Sequence, residues 1–579
     1  MSQTSVQAAA RNPWTRAKGF FALNPLIFVM LAVMAILAVM IVYPAVVLLS
    51  ESLLDEDGAF TLAWYVEAYT DPRNFEAIAN TLIIAGATSL FATIFGTFMA
   101  WAVVRTDMPL RRLIEGASLV PFISTPFIGA LAWILLASPQ TGLINQFTTH
   151  VLGFDGPLVN IYSLWGIVLV EALYEMPYVF LIVAGALRAM DPTLEEASLA
   201  SGAGLGRPTL KVTLPLALPA ILGSGLLVFV LAAEQFGVPA VIGTPARIRV
   251  LTTSIWDTQS VYPPKYGLGA SLCVTLLLIS VLGLWLQRRM LAAGSYTTIG
   301  GKGARPRRVA LGPLRWTVTG LCLAYLLLAV VLPYSTIFLS SIRTIWTETI
   351  EWNQFTIQNY HWILFEYPTT QRALFNSLML ATIGATVAIL FCALISFLIQ
   401  RTQLPGRKML DYLAMLPVAF PGIVLAVGML HIWITPPLVL YGTIWILFVA
   451  YLTRYLPYGV RSTSATLVQI HPELEESSLS SGAGWFQTFR RVTLPLLKPG
   501  LVSGWIMLFV SFSRELSASV LLYAPGTEVL SVAIYDLWGQ GDFRPLSALA
   551  MIQIAICFVM VAVVKRITRV DRDDGPMAG

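Results

Sequence analysis

The chain has 579 residues, a length that in a soluble protein would correspond to roughly three or four domains. Its composition excludes that class, because 57% of the residues are hydrophobic and only 12% are charged, against about 25% charged residues in soluble domains. The mean hydropathy is +0.75, and the net charge is only +5. These values indicate a polytopic membrane protein, in which the position of the charges matters more than their sum.

The N-terminal region carries basic residues, among them Arg11, Arg16 and Lys18, before an apolar stretch at 27–49. The stretch is too long for the core of a signal peptide and lacks a small-residue cleavage site, so we expect a retained membrane anchor. The four cysteines lie inside apolar stretches without C-x-x-C spacing, and the four histidines are scattered. This pattern disfavours a disulfide framework or a zinc site.

Twelve stretches are mostly apolar over about 20 residues, the length that an α-helix needs to cross a bilayer. They lie at 27–49, 80–104, 116–137, 162–187, 217–241, 266–288, 316–341, 376–400, 411–434, 441–463, 499–523 and 547–567. The third and ninth stretches each contain two prolines, which bend helices and can shape a gate or simply a packing kink. The sequence predicts an all-α polytopic membrane protein with about 12 transmembrane helices.

Basic residues cluster in alternate loops and set the predicted orientation. Clusters begin at Arg105, at Arg288, at Arg401 and at Lys565. Because cytoplasmic loops carry the excess of Lys and Arg, we expect both termini to be cytoplasmic. A glycine-rich polar stretch at 287–315 is typical of a flexible linker. The predicted organisation is a cytoplasmic N-terminal segment (1–26), a first half of six spans (27–288), a cytoplasmic linker (289–315), a second half of six spans (316–567) and a cytoplasmic tail (568–579).

The two halves are repeats of each other. The segment EEASLASGAGLGRPTLKVTLPLALPA begins at Glu195, and EESSLSSGAGWFQTFRRVTLPLLKPG begins at Glu475; 14 of their 26 positions are identical. Upstream, RTDMPLRR from Arg105 matches RTQLPGRK from Arg401. Because each half has six spans, an even number, the repeats are predicted to be parallel in the membrane.

The repeated cytoplasmic segment predicts a short acidic helix that ends at a glycine turn. Its acids fall in the first helical turn, where the helix dipole favours negative charge, and its glycines permit a positive-φ turn. The residues assigned to this loop are Glu195, Glu196, Ser201, Gly202 and Gly204 in the first copy and Glu475, Glu476, Ser481, Gly482 and Gly484 in the second. An ordinary interhelical loop is the alternative, which the 14 identities disfavour.

The pattern E-x-x-S/A-x-x-x-G with a downstream Leu-Pro resembles the cytoplasmic signature of permeases from binding-protein-dependent ABC importers. It stands here as Glu195, Gly202 and Pro215, with a second copy at Glu475 and Gly482. The usual EAA is EEAS in one copy and EESS in the other, a mild departure. The resemblance implies a type I importer permease in which each loop is a coupling helix docked on one of two ATPase subunits, with an external solute-binding protein on the other side.

Two further segments resemble the fused ferric-iron permeases of this family. They are AAEQFGVPAVIG from Ala232 and SRELSASVLLYAPGTEVLSVAIYDLW from Ser513. The resemblance implies ferric iron, bare or chelated, as the substrate. The chain has no G-x-x-x-x-G-K-[ST] motif, so we expect it to bind no cofactor of its own and not to be an ATPase; ATP is expected on the partner subunits.

Six charged residues lie in the interior of the apolar stretches, away from their ends: Glu171, Glu175, Glu234, Arg454, Arg514 and Glu515. An unpaired charge near the middle of a bilayer costs at least about 2.5 kcal/mol. Two interpretations stay open, a gate or cation path and a set of structural ion pairs between spans, for example between Arg454 and the acids.

Several alternatives to an iron importer stay open as well. They are an ABC permease for a polyamine, thiamine or a phosphonate, an ion-coupled secondary transporter, which can also have parallel six-span repeats, and a channel. The sequence contains no segment that resembles a selectivity filter.

The orientation gives a first testable prediction. In Asp57→Cys and Lys302→Cys variants, a membrane-impermeant thiol reagent added to intact cells should label position 57 and not position 302. The reason is that the loop at 51–79 is acidic and the linker is basic. Labelling of position 302 without labelling of position 57 would show that the chain has the opposite orientation in the membrane.

Overall fold

The computed structural model describes residues 25–190, 209–293, 309–346 and 352–573. Within these ranges the chain is helical, and its β pairing consists of three isolated bridges. The all-α fold class predicted from the sequence is confirmed.

The main helices are numbered in chain order. Before the linker they are α1 (Pro25–Leu53), α2 (Pro72–Arg105), α3 (Pro126–Ala137), α4 (Leu164–Ala189), α5 (Thr209–Ala233), α6 (Leu251–Ser260) and α7 (Tyr266–Ala293). After the linker they are α8 (Leu314–Ser341), α9 (Pro368–Arg401), α10 (Gly422–Trp433), α11 (Ile444–Gln469), α12 (Glu473–Ser480), α13 (Lys498–Ser513), α14 (Leu530–Gly539) and α15 (Phe543–Asp573).

Eight of the described helices are long and apolar enough to cross a membrane, and the number rises to 11 if each of three bent helix pairs is one span. The bent pairs fall at the third, ninth and eleventh predicted stretches. The tenth stretch forms α11, a helix of 26 residues that is less apolar because it carries Arg454 and Arg461. Each of the twelve predicted stretches therefore overlaps a helix.

Polar residues fix where several helices begin. Asp71 caps α2, Thr125 caps α3 and Ser163 caps α4. In each case the side-chain oxygen accepts a hydrogen bond of 2.8–3.0 Å from a backbone N–H of the first turn, which satisfies a donor that has no partner inside the helix. Proline follows the cap of α2 and of α3, where its missing N–H costs nothing.

Close contacts divide the chain into two compact units. The first consists of the described residues of Met1–Pro44, Ala385–Val418 and Leu452–Leu508. Its hydrophobic core contains Ala393, Leu467 and Leu497. A Cβ on Gly459 of α11 would lie only 2.6 Å from the Sγ of Cys392 on α9, so glycine is what allows these two helices to approach each other.

The second unit consists of the described residues of Ala45–Gly384, Ala419–Tyr451 and Phe509–Gly579. Its core lies where α2, α4 and α5 pack together and includes Met99, Phe180 and Val228. A Cβ on Gly96 of α2 would lie 2.8 Å from the Cβ of Val179 on α4. Small residues at helix contacts thus replace the hydrophobic effect as the means of close packing, as expected in lipid.

The start of α6 is held by two polar residues of α2. Asn80 donates from Nδ2 to the carbonyl oxygen of Arg249 at 2.9 Å. The Oγ1 of Thr81 accepts a hydrogen bond from the backbone N–H of Leu251 at 2.8 Å. The N-cap residue of α6 is a valine without a capping side chain, so α2 supplies the cap from a distance.

The second half repeats this arrangement at the start of α14. Asn376 of α9 donates to the carbonyl oxygen of Glu528 at 2.9 Å, and the Oγ of Ser377 accepts from the N–H of Leu530 at 2.8 Å. The N-cap of α14 is again a valine without a capping side chain. The repeat seen in the sequence therefore extends to individual hydrogen bonds between helices.

This shared cap gives a prediction for stability. Thr81→Val should lower the apparent melting temperature of the purified protein, because a buried N–H left without an acceptor costs about 1–3 kcal/mol. Intrinsic tryptophan fluorescence during heating measures the shift. Thr81→Ser, which keeps the hydroxyl, is the matched control; equal melting of the two variants would contradict the capping role.

Candidate functional site

The first copy of the coupling loop lies outside the described residues. This applies to the five residues assigned to it, Glu195, Glu196, Ser201, Gly202 and Gly204. The geometry of the site is therefore built from the second copy, which the structure describes in full.

The second loop forms the short helix α12 with a glycine turn at its end. Gly482 has φ +87°; its N–H donates to the carbonyl of Leu479 at 3.0 Å, and the N–H of Ala483 donates to the carbonyl of Ser478 at 3.2 Å. This pair of bonds is the Schellman motif, which requires a left-handed residue after the helix. The turn predicted at Gly482 thus has a positive φ, whereas Gly484 has φ −72° and is the N-cap residue of the next short helix.

Glu475 points into the protein rather than toward solvent. It is 7% exposed, and its Oε2 lies 3.1 Å from the Nε of Arg401 at the end of α9. The Oγ1 of Thr493 donates to its Oε1 at 2.9 Å. Arg401 also donates to the carbonyl oxygens of Leu467 and Ile470, at 2.9 and 2.6 Å. This ion pair therefore ties α12 to the ends of α9 and α11.

Sequence reasoning missed the role of Arg401, although a signal was present. Arg401 and Arg105 begin the matching segments RTQLPGRK and RTDMPLRR. Arg105 is 1% exposed and donates to the carbonyl of Leu187 at 2.8 Å, the same contact that Arg401 makes with Leu467. An arginine repeated at the same helix end in both halves indicates a specific partner nearby. The sequence analysis used Arg105 and Arg401 only to assign the orientation in the membrane, and so it did not look for that partner.

The opposite side of the loop is an exposed surface with both polar and apolar residues. Glu476, Ser481 and Gly482 are exposed. The apolar side chains of Leu474, Leu479 and Phe486 are also exposed, by 50%, 49% and 60%. We call the six residues Leu474, Glu476, Leu479, Ser481, Gly482 and Phe486 the coupling surface. Clustered exposed apolar side chains are typical of a surface that binds another protein.

Two of the predicted intramembrane acids lie one turn apart on α4. Glu171 and Glu175 are buried. The Oγ1 of Thr88 donates to the Oε2 of Glu171 at 3.3 Å, and the Nε2 of Gln235 donates to the Oε1 of Glu175 at 3.4 Å. The second oxygen of each carboxylate, Oε1 of Glu171 and Oε2 of Glu175, has no hydrogen-bond partner among the described residues.

Arg514 lies at the break between two helices. Its Nη1 donates to the carbonyl oxygens of Phe122 and Ser124 at 2.7 and 3.2 Å, and its Nη2 donates to the hydroxyl of Tyr178 at 3.3 Å. The helix before this break and α3 meet at 99°. Because Pro126 has no N–H, the carbonyl of Phe122 lacks its helical donor, and the guanidinium takes that place.

The other charged residues of this set have different surroundings. The charge of Arg514 attracts Glu175, and the Oε1 of Glu515 accepts a hydrogen bond from the N–H of Ala518 at 2.9 Å. Glu234 and Glu515 are both buried. The guanidinium of Arg454 lies 5.7 Å from the ring centre of Tyr455. The pairing of Arg454 with the acids stays a prediction.

Residues 92–292 and 404–569 match the family model of the binding-protein-dependent transport system inner membrane component. The two segments together make up more than half of the chain, and the chain belongs to this family. It is therefore a multi-pass inner-membrane component of an ABC importer, with two copies of the family unit in one polypeptide. This membership excludes an ion-coupled secondary transporter as the class of protein.

Its similarity to individual proteins extends over both halves. The chain is 29% identical to the putative ferric transport system permease protein FbpB 1 of Haemophilus influenzae, over 87% of this chain and 79% of the relative. It is 28% identical to the ferric transport system permease protein FbpB of Actinobacillus pleuropneumoniae, over 92% and 77%. A crystal structure of a bacterial ABC transporter involved in alginate import matches 48% of this chain and 98% of its own, with 17% identity and a TM-score of 0.38.

The ion pair between Arg401 and Glu475 gives a prediction that separates the two faces of α12. Glu475→Ala should lower the apparent melting temperature of the purified protein clearly, because removing one partner of a buried ion pair costs about 3–5 kcal/mol. Glu476→Ala removes the same charge from an exposed position one residue away and should leave the melting temperature unchanged. Equal melting of both variants would contradict a structural role of Glu475.

Proposed function

We propose that this chain is the permease subunit of an ATP-driven importer of ferric iron. The observation that carries the proposal is the similarity to ferric permeases across 87% and 92% of the chain. A match of this extent covers both halves, the two coupling loops and the segments around the buried charges. The iron is delivered bare or chelated by an external solute-binding protein.

In this proposal two ATPase subunits bind to the cytoplasmic loops, one subunit to each loop, and they bind the ATP. The coupling surface supports this step, because its apolar side chains are exposed at the end of a helix that is anchored on its other face. Because Arg401 and Glu475 form an ion pair, a displacement of α12 is transmitted directly to the ends of α9 and α11. In this orientation the N- and C-termini also lie in the cytoplasm, on the same side of the membrane as the ATPase subunits.

The buried charges are proposed to act on the substrate path. Four acids stand against two arginines in this set, and the second oxygens of Glu171 and Glu175 accept no hydrogen bond from the described residues. An excess of carboxylate oxygens in an apolar bundle lowers the free energy of a passing cation and raises that of an anion. Arg514, which is bound to backbone carbonyls, stabilises the break before α3.

A phosphonate permease is the second candidate. The chain is 28% identical to a putative 2-aminoethylphosphonate transport system permease protein of Salmonella paratyphi A, but over 41% of this chain. A phosphonate group is an anion, which the excess of buried acids disfavours.

The substrate assignment is tested by uptake in cells that also express the cognate ATPase and binding protein. Radioactive ferric iron should accumulate, and radioactive 2-aminoethylphosphonate should not. Accumulation of the phosphonate without accumulation of iron would reject the iron importer and favour the phosphonate permease.

The coupling role gives a further prediction. Gly482→Asp should leave expression nearly unchanged, since a Cβ there meets no atom within 4 Å and a side chain at positive φ costs about 1–2 kcal/mol. It should strongly reduce both ATPase co-purification and iron uptake, because the new carboxylate stands in the coupling surface. Gly202→Asp, in the first copy, should impair uptake as well.

Gly58→Asp is the matched control for backbone strain. Gly58 has φ +79° and an equally open surrounding, but it lies in the loop between α1 and α2. This variant should retain uptake. Wild-type uptake by Gly482→Asp at equal expression would remove the coupling role from the loop.

A further inference from the structure

The connection between α3 and α4 is longer than its counterpart in the second half. It has 26 residues (138–163), whereas the connection between α10 and α11 has 10 (434–443). In the predicted orientation both connections lie on the external side. We call residues 138–163 the external segment. It contains a short helix, Leu143–His150, and it is an addition to the first half that the proposed function does not use.

The short helix of the external segment buries polar residues and exposes apolar ones. Asn145 and Thr148 are only 2% and 5% exposed, whereas Phe147 is 55% exposed. A helix at the surface of a water-soluble protein does the opposite, since its apolar side chains face the core and its polar side chains face the solvent. The reversed arrangement indicates that the outer face of this helix lies in an apolar environment.

The exposed apolar surface continues beyond the helix. Five large apolar side chains within twelve residues are each more than half exposed, and we call them the apolar patch: Phe147, Val151, Leu152, Phe154 and Leu158. Large exposed apolar patches mark surfaces that contact a protein or a membrane. The external segment contains no Lys, Arg or Glu and a single Asp, Asp155, so charge does not direct the patch toward a charged partner.

One buried side chain fixes the external segment in this conformation. The Nδ2 of Asn145 donates to the carbonyl oxygens of Ser138 and Val159 at 2.9 and 2.7 Å. Its Oδ1 accepts a hydrogen bond from the backbone N–H of Val159 at 2.9 Å. Ser138 directly follows α3. Asn145 therefore closes the segment into a loop and attaches that loop to the external end of α3.

The external segment also borders an apolar groove along α8. The groove has a volume of about 610 Å³ and is lined by Ile144 and Phe147 on one side and by residues from Leu332 to Ile342 on the other. These residues cover about 15 Å of α8 at 1.5 Å per residue, which is about half of the 30 Å hydrocarbon thickness of a bilayer. Because α8 is a candidate span that ends at Ser341, the groove lies at the depth of the external leaflet.

We propose that the apolar patch inserts into the external leaflet of the membrane and that a phospholipid acyl chain occupies the groove beside α8. The groove is continuous with the surface of a membrane span, where the surrounding solvent is lipid. Trp346, whose Nε1 donates to the carbonyl oxygen of Thr141 at 3.2 Å, agrees with this position, because tryptophan is enriched at membrane–water interfaces. The inserted segment then holds the external end of α3 at the bilayer surface.

Fluorescence quenching tests the insertion on the full-length chain. Leu152→Cys and, as the matched control, Asp57→Cys are labelled with the dye NBD; the four native cysteines are buried, and unmodified protein treated with the dye gives the background. Both are reconstituted into vesicles of phosphatidylethanolamine and phosphatidylglycerol that contain phosphatidylcholine with a doxyl spin label on its acyl chain. The doxyl lipid should quench the dye at position 152 at least twofold more strongly than at position 57, and aqueous iodide should show the reverse order.

Equal quenching of both positions by the doxyl lipid would overturn the proposal. Shielding of position 152 from iodide only after a solute-binding protein is added would assign the patch to that protein instead. Shielding that disappears when the protein is diluted in lipid, without doxyl quenching, would assign it to a second copy of the chain. If Leu152→Cys gives too little protein, Phe154→Cys, at another exposed position of the patch, carries the same comparison.

The inference does not depend on the substrate, because it uses only the position of the segment beside a membrane span. Iron uptake by the wild type without doxyl quenching at position 152 would reject the insertion and leave the importer. Doxyl quenching at position 152 without iron uptake would leave a membrane-inserted segment in a permease for another substrate.

Discussion

A guanidinium group that is largely withdrawn from water at the end of a helix needs a counter-charge and carbonyl acceptors, and this requirement holds the coupling loop in place. Arg401 ends α9, where it meets the carbonyl oxygens of Leu467 and Ile470 and the carboxylate of Glu475. The carbonyl oxygens come from the C-terminal end of α11, which carries partial negative charge. Glu475 supplies the full counter-charge. A shift of α12 relative to these helix ends would therefore separate the ion pair between Arg401 and Glu475.

The same requirement connects a helix break to a partly buried charge, that of Arg514, in the second unit. Pro126 cannot donate to the carbonyl of Phe122, and Arg514 donates to it instead at 2.7 Å. Neither feature is stable alone, because the proline leaves a carbonyl without a donor and the arginine would be a charge without acceptors. Together, Pro126 bends the span and the guanidinium of Arg514, which follows α13, stabilises the bend.

The features that the sequence predicts here are those with local causes. The spans follow from hydropathy alone, and the turn at Gly482 follows from the repeat of an acidic helix with a glycine at its end. Gly484 does not use this freedom, because glycine permits a positive φ without requiring it. The partnership of Arg401 with Glu475 was not predictable in the same way, since it joins residues that are distant in the chain. A cavity lined by Asp257 and Asp536 also needs the fold, because its two sides come from different halves, although the two acids stand at equivalent positions, the seventh residue of α6 and of α14.

Duplication explains how a pseudo-symmetric chain can build an asymmetric path. The backbone after α5 is held by Thr252, whose Oγ1 donates to the carbonyl of Gln235 at 2.8 Å. The backbone after α13 is held in the same way by Ser531, whose Oγ donates to the carbonyl of Glu515 at 2.5 Å. The supporting hydroxyls are thus retained, while the side chains at the supported positions have diverged from an amide to a carboxylate. Because these hydrogen bonds are accepted by backbone carbonyl oxygens, the side chains of Gln235 and Glu515 can differ in charge without loss of the bonds. The two halves therefore present different side chains, an amide in Gln235 and a carboxylate in Glu515, at positions whose backbone is held in the same way.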